Sequence, residues 1–307
     1  MTHARPLLRR FAGLCTLFAL SSSAALAQTP QLEVTASFSI LGDLVHQVGG
    51  DKVRVRTLVG PDEDAHAFQP RPSDARDIGA SALVVVNGLG FDDWMTRLAR
   101  SGGYKGEVVI ASKGVKTLEM DDHGHDHKHG HAADPHAWQD IGNAQQYVAN
   151  IAAALAAADP ANAETYRNNA ERYGGELKAL DAEIRSAFAA LPAERRKVVS
   201  SHDAFAYFGE AYGIRFLSPV GVSNNAEPTA KGVARLIGQL KKEKIPAVFI
   251  ENVADPRLIE RIRAESGTRV GGTLYSDALS ASGGPAPDYL SMMRANFRTL
   301  HDALVAE

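Results

Sequence analysis

Residues 159–192 read DPANAETYRNNAERYGGELKALDAEIRSAFAALP. Asp159 is a helix cap and Pro160 suits a first helical position. Apolar residues then recur at Tyr166, Ala170, Tyr173, Leu177, Leu180, Ile184, Phe188 and Leu191, at spacings of 4, 3, 4, 3, 4, 4 and 3. That period lays one stripe along one face of a helix, and Pro192 ends it. At ~1.5 Å per residue, Pro160–Leu191 would extend about 48 Å, too long for a routine crossover within one small sheet. The segment reads as a spine joining two lobes. The competing reading is two ordinary helices broken at Gly174-Gly175, where each glycine weakens a helix by ~1 kcal/mol.

Working outward, both flanks alternate between short apolar strands and helices. Before the spine, strands are expected at Leu32–Ser37, Val53–Val59, Leu83–Val86 and Val108–Ala111. Helices are expected near Ser39–Val48, Asp74–Ala80, Asp92–Arg100 and Ile141–Ala157. After it, strands are expected at Lys197–Ser201, Ile214–Leu217, Ala247–Glu251 and Arg269–Leu274. Helices follow each of them, the last running from Pro287 to the end. Apolar strands separated by helices imply parallel sheets covered on both faces. The expected organisation is a first α/β lobe at 28–158, a linking helix at 159–191 and a second α/β lobe at 192–307, without an evident sequence repeat.

The first residues, MTHARPLLRRFAGLCTLFALSSSAALAQTP, combine Arg5, Arg9 and Arg10 with the apolar Phe11–Leu20 and an Ala25-Leu26-Ala27 cleavage pattern. They read as a secretory signal, residues 1–27, cleaved after Ala27, with a retained anchor as the alternative. Leu14, before the sole cysteine, Cys15, is not the small residue that lipidation usually requires, so no lipid anchor is expected. Without residues 1–27 the chain has no cysteine, hence neither a disulfide nor a thiolate ligand. It then carries 30 Lys and Arg against 36 Asp and Glu, a formal −6. A mildly acidic exported protein argues against nucleic acid and suits a small cationic ligand. A monomer is expected.

Residues 121–138 read DDHGHDHKHGHAADPHAW. His123, His125, His127, His129 and His131 alternate with polar residues and glycine, without helical period, so a loop that collects metal weakly is expected. An expression tag is the bland alternative. His136 stands apart, between a proline and an alanine-tryptophan pair. His66 follows the strand Val53–Val59 in an acidic loop, His202 follows Lys197–Ser201, and Asp277 follows Arg269–Leu274. Loops at strand carboxyl ends are where such lobes bind ligands. Three imidazoles and one carboxylate make a closed set that suits Zn²⁺, whereas manganese prefers more oxygen. Each of these histidines, taken alone, fits a structural role equally well. His46 reads as an ordinary surface histidine.

Several motifs in order carry a resemblance: Asp64-Ala65-His66-Ala67-Phe68-Gln69-Pro70, Asn87-Gly88-Leu89-Gly90-Phe91, Asp134-Pro135-His136-Ala137-Trp138, Ser201-His202-Asp203-Ala204-Phe205, Glu227-Pro228 and Tyr275-Ser276-Asp277-Ala278-Leu279. They span nearly all of the chain after the signal. The chain resembles the zinc- and manganese-binding solute-binding proteins of bacterial ABC importers. The resemblance implies two α/β lobes joined by a rigid helix, one metal between them, and His66, His136, His202 and Asp277 at its ligand positions. It also implies periplasmic capture of Zn²⁺ and delivery to an ABC-transporter permease, with a periplasmic zinc chaperone as a possible further partner. The third ligand position is often Glu in manganese members and His in zinc members, so His202 points to zinc. A manganese- or iron-binding member is the alternative. Ala65 departs from the family's common proline, and some zinc members carry a disulfide that this chain lacks. An exported zinc hydrolase would need an open coordination position and a general base, for which Glu63 and Glu251 are conceivable. No H-E-x-x-H helix motif accompanies them, and an enzyme is not expected.

Overall fold

The computed structural model describes residues 30–119, 133–223 and 228–306. The chain divides into two units, Met1–Pro30 and Gln31–Glu307, and both lobes belong to the second. The expected signal peptide, the histidine run His123–His131 and Glu227 lie outside the described residues.

In the first lobe β1 (Leu32–Phe38), α1 (Ser39–Gly49), β2 (Val53–Val59), α2 (Pro72–Gly79), β3 (Leu83–Val86), α3 (Asp93–Ser101), β4 (Glu107–Ile110) and α4 (Ile141–Ala158) come in order. Next comes α5 (Ala163–Ala189). The second lobe has β5 (Lys197–Val199), α6 (Ala206–Tyr212), β6 (Arg215–Leu217), α7 (Ala230–Glu243), β7 (Ala247–Glu251), α8 (Arg257–Ser266), β8 (Arg269–Leu274) and α9 (Tyr289–Val305). The four-stranded sheets run β2-β1-β3-β4 and β6-β5-β7-β8, with every pairing parallel. The two lobes therefore share one strand order although their sequences show no repeat. Apolar strands such as Leu83–Val86, buried at all four positions, reflect helices covering both sheet faces.

The linking helix is one helix, not two. It is shorter than expected because Pro160–Asn162 form a separate 3₁₀ turn, leaving α5 as 27 residues and about 40 Å long. Helical backbone runs unbroken through Gly174-Gly175, where a Cβ would meet nothing within 4 Å, so the glycines are tolerated without being required by packing. Tyr166, Tyr173, Leu177, Leu180, Ile184 and Phe188 are buried as the stripe requires. Each such side chain contributes roughly 1.5–3 kcal/mol relative to exposure. The helix packs on α1 and α4 of the first lobe and on α6 and α9 of the second.

One apolar cluster runs without interruption from Val34 and Leu44 in the first lobe, through Tyr173 and Ile184, to Phe208 and Met292 in the second. Two smaller clusters sit outside it, under α3 and under α7 and α8. Among the described residues no helix is long and apolar enough to cross a membrane.

Candidate metal centre

His66, His202 and Asp277 stand just beyond the carboxyl ends of β2, β5 and β8, and His136 stands just before the 3₁₀ turn Ala137–Gln139 that leads into α4. The fold brings all four together between the lobes, with one ligand atom from each inside a 4.8 Å span. No other such cluster occurs among the described residues. His66 Nε2 lies 3.4 Å from His136 Nε2 and 3.6 Å from Asp277 Oδ2. His202 Nε2 lies 3.2 Å from Asp277 Oδ2, and His136 Nε2 lies 3.5 Å from Asp277 Oδ1. Tetrahedral bonds of 2.0–2.1 Å would separate donor atoms by roughly 3.3 Å. The side chains of His136, His202 and Asp277 have no solvent exposure, and that of His66 is 9% exposed.

Local sequence explains much of this placement. Asp-x-His occurs at Asp64-Ala65-His66 and at Asp134-Pro135-His136. In both, the aspartate Oδ1 accepts the histidine backbone N–H, at 2.8 and 2.9 Å, which folds the loop back on itself. Asp134 Oδ1 also lies 2.8 Å from His136 Nδ1, so Nε2 is the nitrogen turned to the cluster. His202 is held likewise, with Nδ1 2.5 Å from Glu251 Oε2. Carboxylates behind ligating imidazoles fix ring orientation and raise basicity.

Aromatic rings wall the first-lobe side. Gly88, Leu89 and Gly90 have φ of 82°, 56° and 82°, a turn that needs glycine, and it delivers Phe91 to 4.7 Å from the His66 ring. Trp138 packs 5.3 Å from His136 and 4.8 Å from Phe91. Beneath the turn, Asp92 accepts the backbone N–H groups of Asn87 and Gly88 and the Ser37 hydroxyl. Burial pushes the Asp92 carboxyl up to about 6. Asn87 in turn donates to Pro135 O and accepts from Tyr147, tying the His136 loop to this network.

Electrostatically the cluster is an acid surrounded by bases. Burial alone would raise the Asp277 carboxyl, but His202, His136 and His66 outweigh it and hold it well below the usual range. Burial pushes His66 down to about 4. Burial would also lower His202, yet Glu251 and Asp277 overcome it and raise that imidazole well above its ordinary value. Among the described residues neither Asp277 oxygen, neither ring nitrogen of His202 and not Glu251 Oε2 completes a hydrogen bond of good geometry, and buried polar atoms left so are costly unless a ligand draws them together.

The family model described as zinc-uptake complex component A, periplasmic (ZnuA), matches residues 34–303. The chain belongs to that family. ZnuA-family proteins are the metal-binding components of ABC importers, acting outside the cytoplasm beside a permease, and are not enzymes. The chain is 32% identical over 302 residues to the iron-binding protein YfeA of Yersinia pestis, covering 95% of each chain. It is 32% identical over 273 residues to the manganese-binding lipoprotein MntA of Halalkalibacterium halodurans, covering 89% of this chain and 88% of that one. Among solved structures it resembles the periplasmic zinc-binding protein TroA of Treponema pallidum, at a TM-score of 0.83 and 27% identity, over 90% of this chain and 100% of that one.

All four residues expected from the sequence to bind metal are therefore neighbours in space. Reading the sequence missed Asp134 and treated Glu251 only as a conceivable base. The repeated Asp-x-His was a usable signal for the first. Nothing local marks the second, which reaches His202 from another strand.

Proposed function

We propose that this protein captures one Zn²⁺ between its lobes through His66, His136, His202 and Asp277 and hands it to the permease of an ABC importer. The observation that carries the reading is the donor set: three imidazole nitrogens and one carboxylate, at spacings of 3.2–3.6 Å where they are paired. Zinc takes such a set readily in a closed tetrahedron. On binding, the ion would displace the His202 proton and take its place as the counter-charge to Asp277.

The named relatives lean the other way. YfeA and MntA are described as iron- and manganese-binding, and on relatives alone manganese or iron is the better-supported cargo. One feature of the site favours that second reading too. Asp277 turns Oδ2 to His66 and His202 but Oδ1 to His136, so both oxygens face the centre. Bidentate binding would give five donors, nearer to what manganese prefers.

The secretory signal of residues 1–27, cleavage after Ala27 and an unlipidated chain complete the proposal, although relatives such as MntA are lipoproteins. The run His123–His131 would serve as an auxiliary, weak collector, and a periplasmic chaperone could load the site. Metal content after purification from untreated periplasm decides between the metals, because zinc outbinds manganese and iron at most nitrogen and oxygen sites whatever the cargo. One zinc per chain is expected; stoichiometric manganese or iron overturns the zinc reading.

A further inference from the structure

His202 and Glu251 sit at the ends of neighbouring parallel strands, β5 and β7, which pair through Val199 and Val248. Both side chains are fully buried. Glu251 divides its two oxygens between two tasks. Oε1 accepts the backbone N–H groups of Ser201, at 2.7 Å, and His202, at 3.0 Å. Oε2 lies 2.5 Å from His202 Nδ1. The opposite ring nitrogen, Nε2, is the one turned to Asp277.

We propose that Glu251 is a positioning residue that selects the metal-competent tautomer of His202. This rests on reading His202 as a ligand. A neutral imidazole carries one N–H and one lone pair, and an ionised carboxylate only accepts. With Oε2 against Nδ1, the proton belongs on Nδ1 and the lone pair on Nε2, facing the cluster. The other tautomer would set a lone pair against a carboxylate oxygen and aim an N–H at the ion. Glu251 thus makes the ring a ligand without touching the metal. By anchoring the Ser201 and His202 backbone with its second oxygen, it also fixes where that ring stands.

The division of tasks makes one substitution unusually informative. In Glu251→Gln the two backbone N–H groups demand the amide oxygen, because an NH₂ there would crowd three buried donors together. The NH₂ must then occupy the Oε2 position and donate to His202 Nδ1. The ring responds by carrying its proton on Nε2, which points into the cluster and blocks ligation. Volume and backbone anchoring stay as they were.

The test is a double-substitution cycle on the full protein, with Zn²⁺ affinity measured by chelator competition. Glu251→Gln should weaken binding by roughly 10–100-fold, the usual cost of losing a carboxylate behind a ligating histidine. In a His202→Ala background the same change should cost nothing further, since it acts only through that ring. A cost of equal size in both backgrounds, or none in either, overturns the inference. A purely structural role would lower the melting temperature but leave the two backgrounds alike. A measurement on the unsubstituted protein guards against a variant that fails to fold. Long-range ¹H–¹⁵N spectra of the zinc-loaded, histidine-labelled protein should show the His202 proton on Nδ1. A His202 ring bound through Nδ1 overturns the proposal. The two readings fail differently: full affinity in His202→Ala removes His202 from the ligands and this inference with it, whereas weak binding there with full affinity in Glu251→Gln removes only the role of Glu251.

Discussion

Trp138 donates its indole N–H to the carbonyl of Ser276, at 2.9 Å, and so bonds the loop behind His136 directly to the residue before Asp277. Gln139 Nε2 reaches the same carbonyl at 2.7 Å, and the Tyr289 hydroxyl returns a bond to Trp138 O at 2.6 Å. These bonds are buried and cross from lobe to lobe. Together with a core that is continuous through α5, they tie the two lobes to each other beside the metal centre. The lobes should therefore move little when metal binds. Small-angle scattering should give the same radius of gyration with and without Zn²⁺; a large metal-dependent contraction would show a hinge.

Asp62 should act as a latch on the His66 loop. It has a left-handed φ of 56° without being glycine. Its N–H donates to Leu279 O at 2.9 Å, and its carboxylate accepts from Asn252 Nδ2 at 3.0 Å and Ala281 N at 3.1 Å. Asp62→Ala removes two bonds and puts a residue less suited to that backbone in place, together worth about 1–2 kcal/mol at this exposed position. Urea unfolding should show that loss, and stopped-flow chelation should show faster metal release. Asp62→Gly should recover the backbone part of the stability loss only.

Metal binding should release a proton from His202 and none from His66 near neutral pH. His66 is pushed down to about 4, so it is already neutral there. His202 is raised well above its ordinary value, so it must lose its proton for Nε2 to ligate. Affinity should climb about tenfold per pH unit on account of His202 while the free ring remains charged. Calorimetry in buffers of different ionisation enthalpy counts the protons. For the metal-free fold the signs oppose each other. The His66 contribution is present above about 6.5 and lost as pH falls towards 4. The His202 contribution is present below 6.5 and lost as pH rises through its raised value.

The fold was largely legible in the sequence. Fully apolar strands such as Leu83–Val86 and the long stripe Tyr166–Phe188 leave few alternatives, and the shared strand order fits the repeated strand-helix alternation. The linking helix starts three residues later than expected, at Ala163, because Pro160 opens a 3₁₀ turn. The four clustered residues were legible because each stands beside a recognisable strand or motif. What supports them was not. Glu251 meets His202 across 49 positions and Trp138 meets Ser276 across 138, contacts that exist only once the sheets are assembled. Sequence spacing carries no trace of them.

The run His123–His131 should bind extra zinc weakly and be dispensable for the tight site. Alternating histidines offer several imidazoles, but ordering each residue costs roughly 1–2 kcal/mol, which a preformed site does not incur. Protonation should switch the run off below about pH 6.5. Deleting residues 121–131 should remove the weak steps of a zinc titration and leave one tight ion; loss of the tight ion would place the run inside the primary site.

The most direct test of the metal centre is anomalous diffraction from crystals grown with stoichiometric Zn²⁺. A single strong peak is expected between the lobes, about 2.0–2.2 Å from His66 Nε2, His136 Nε2, His202 Nε2 and an Asp277 oxygen. A peak liganded by other residues, or none in the cleft, would contradict the account.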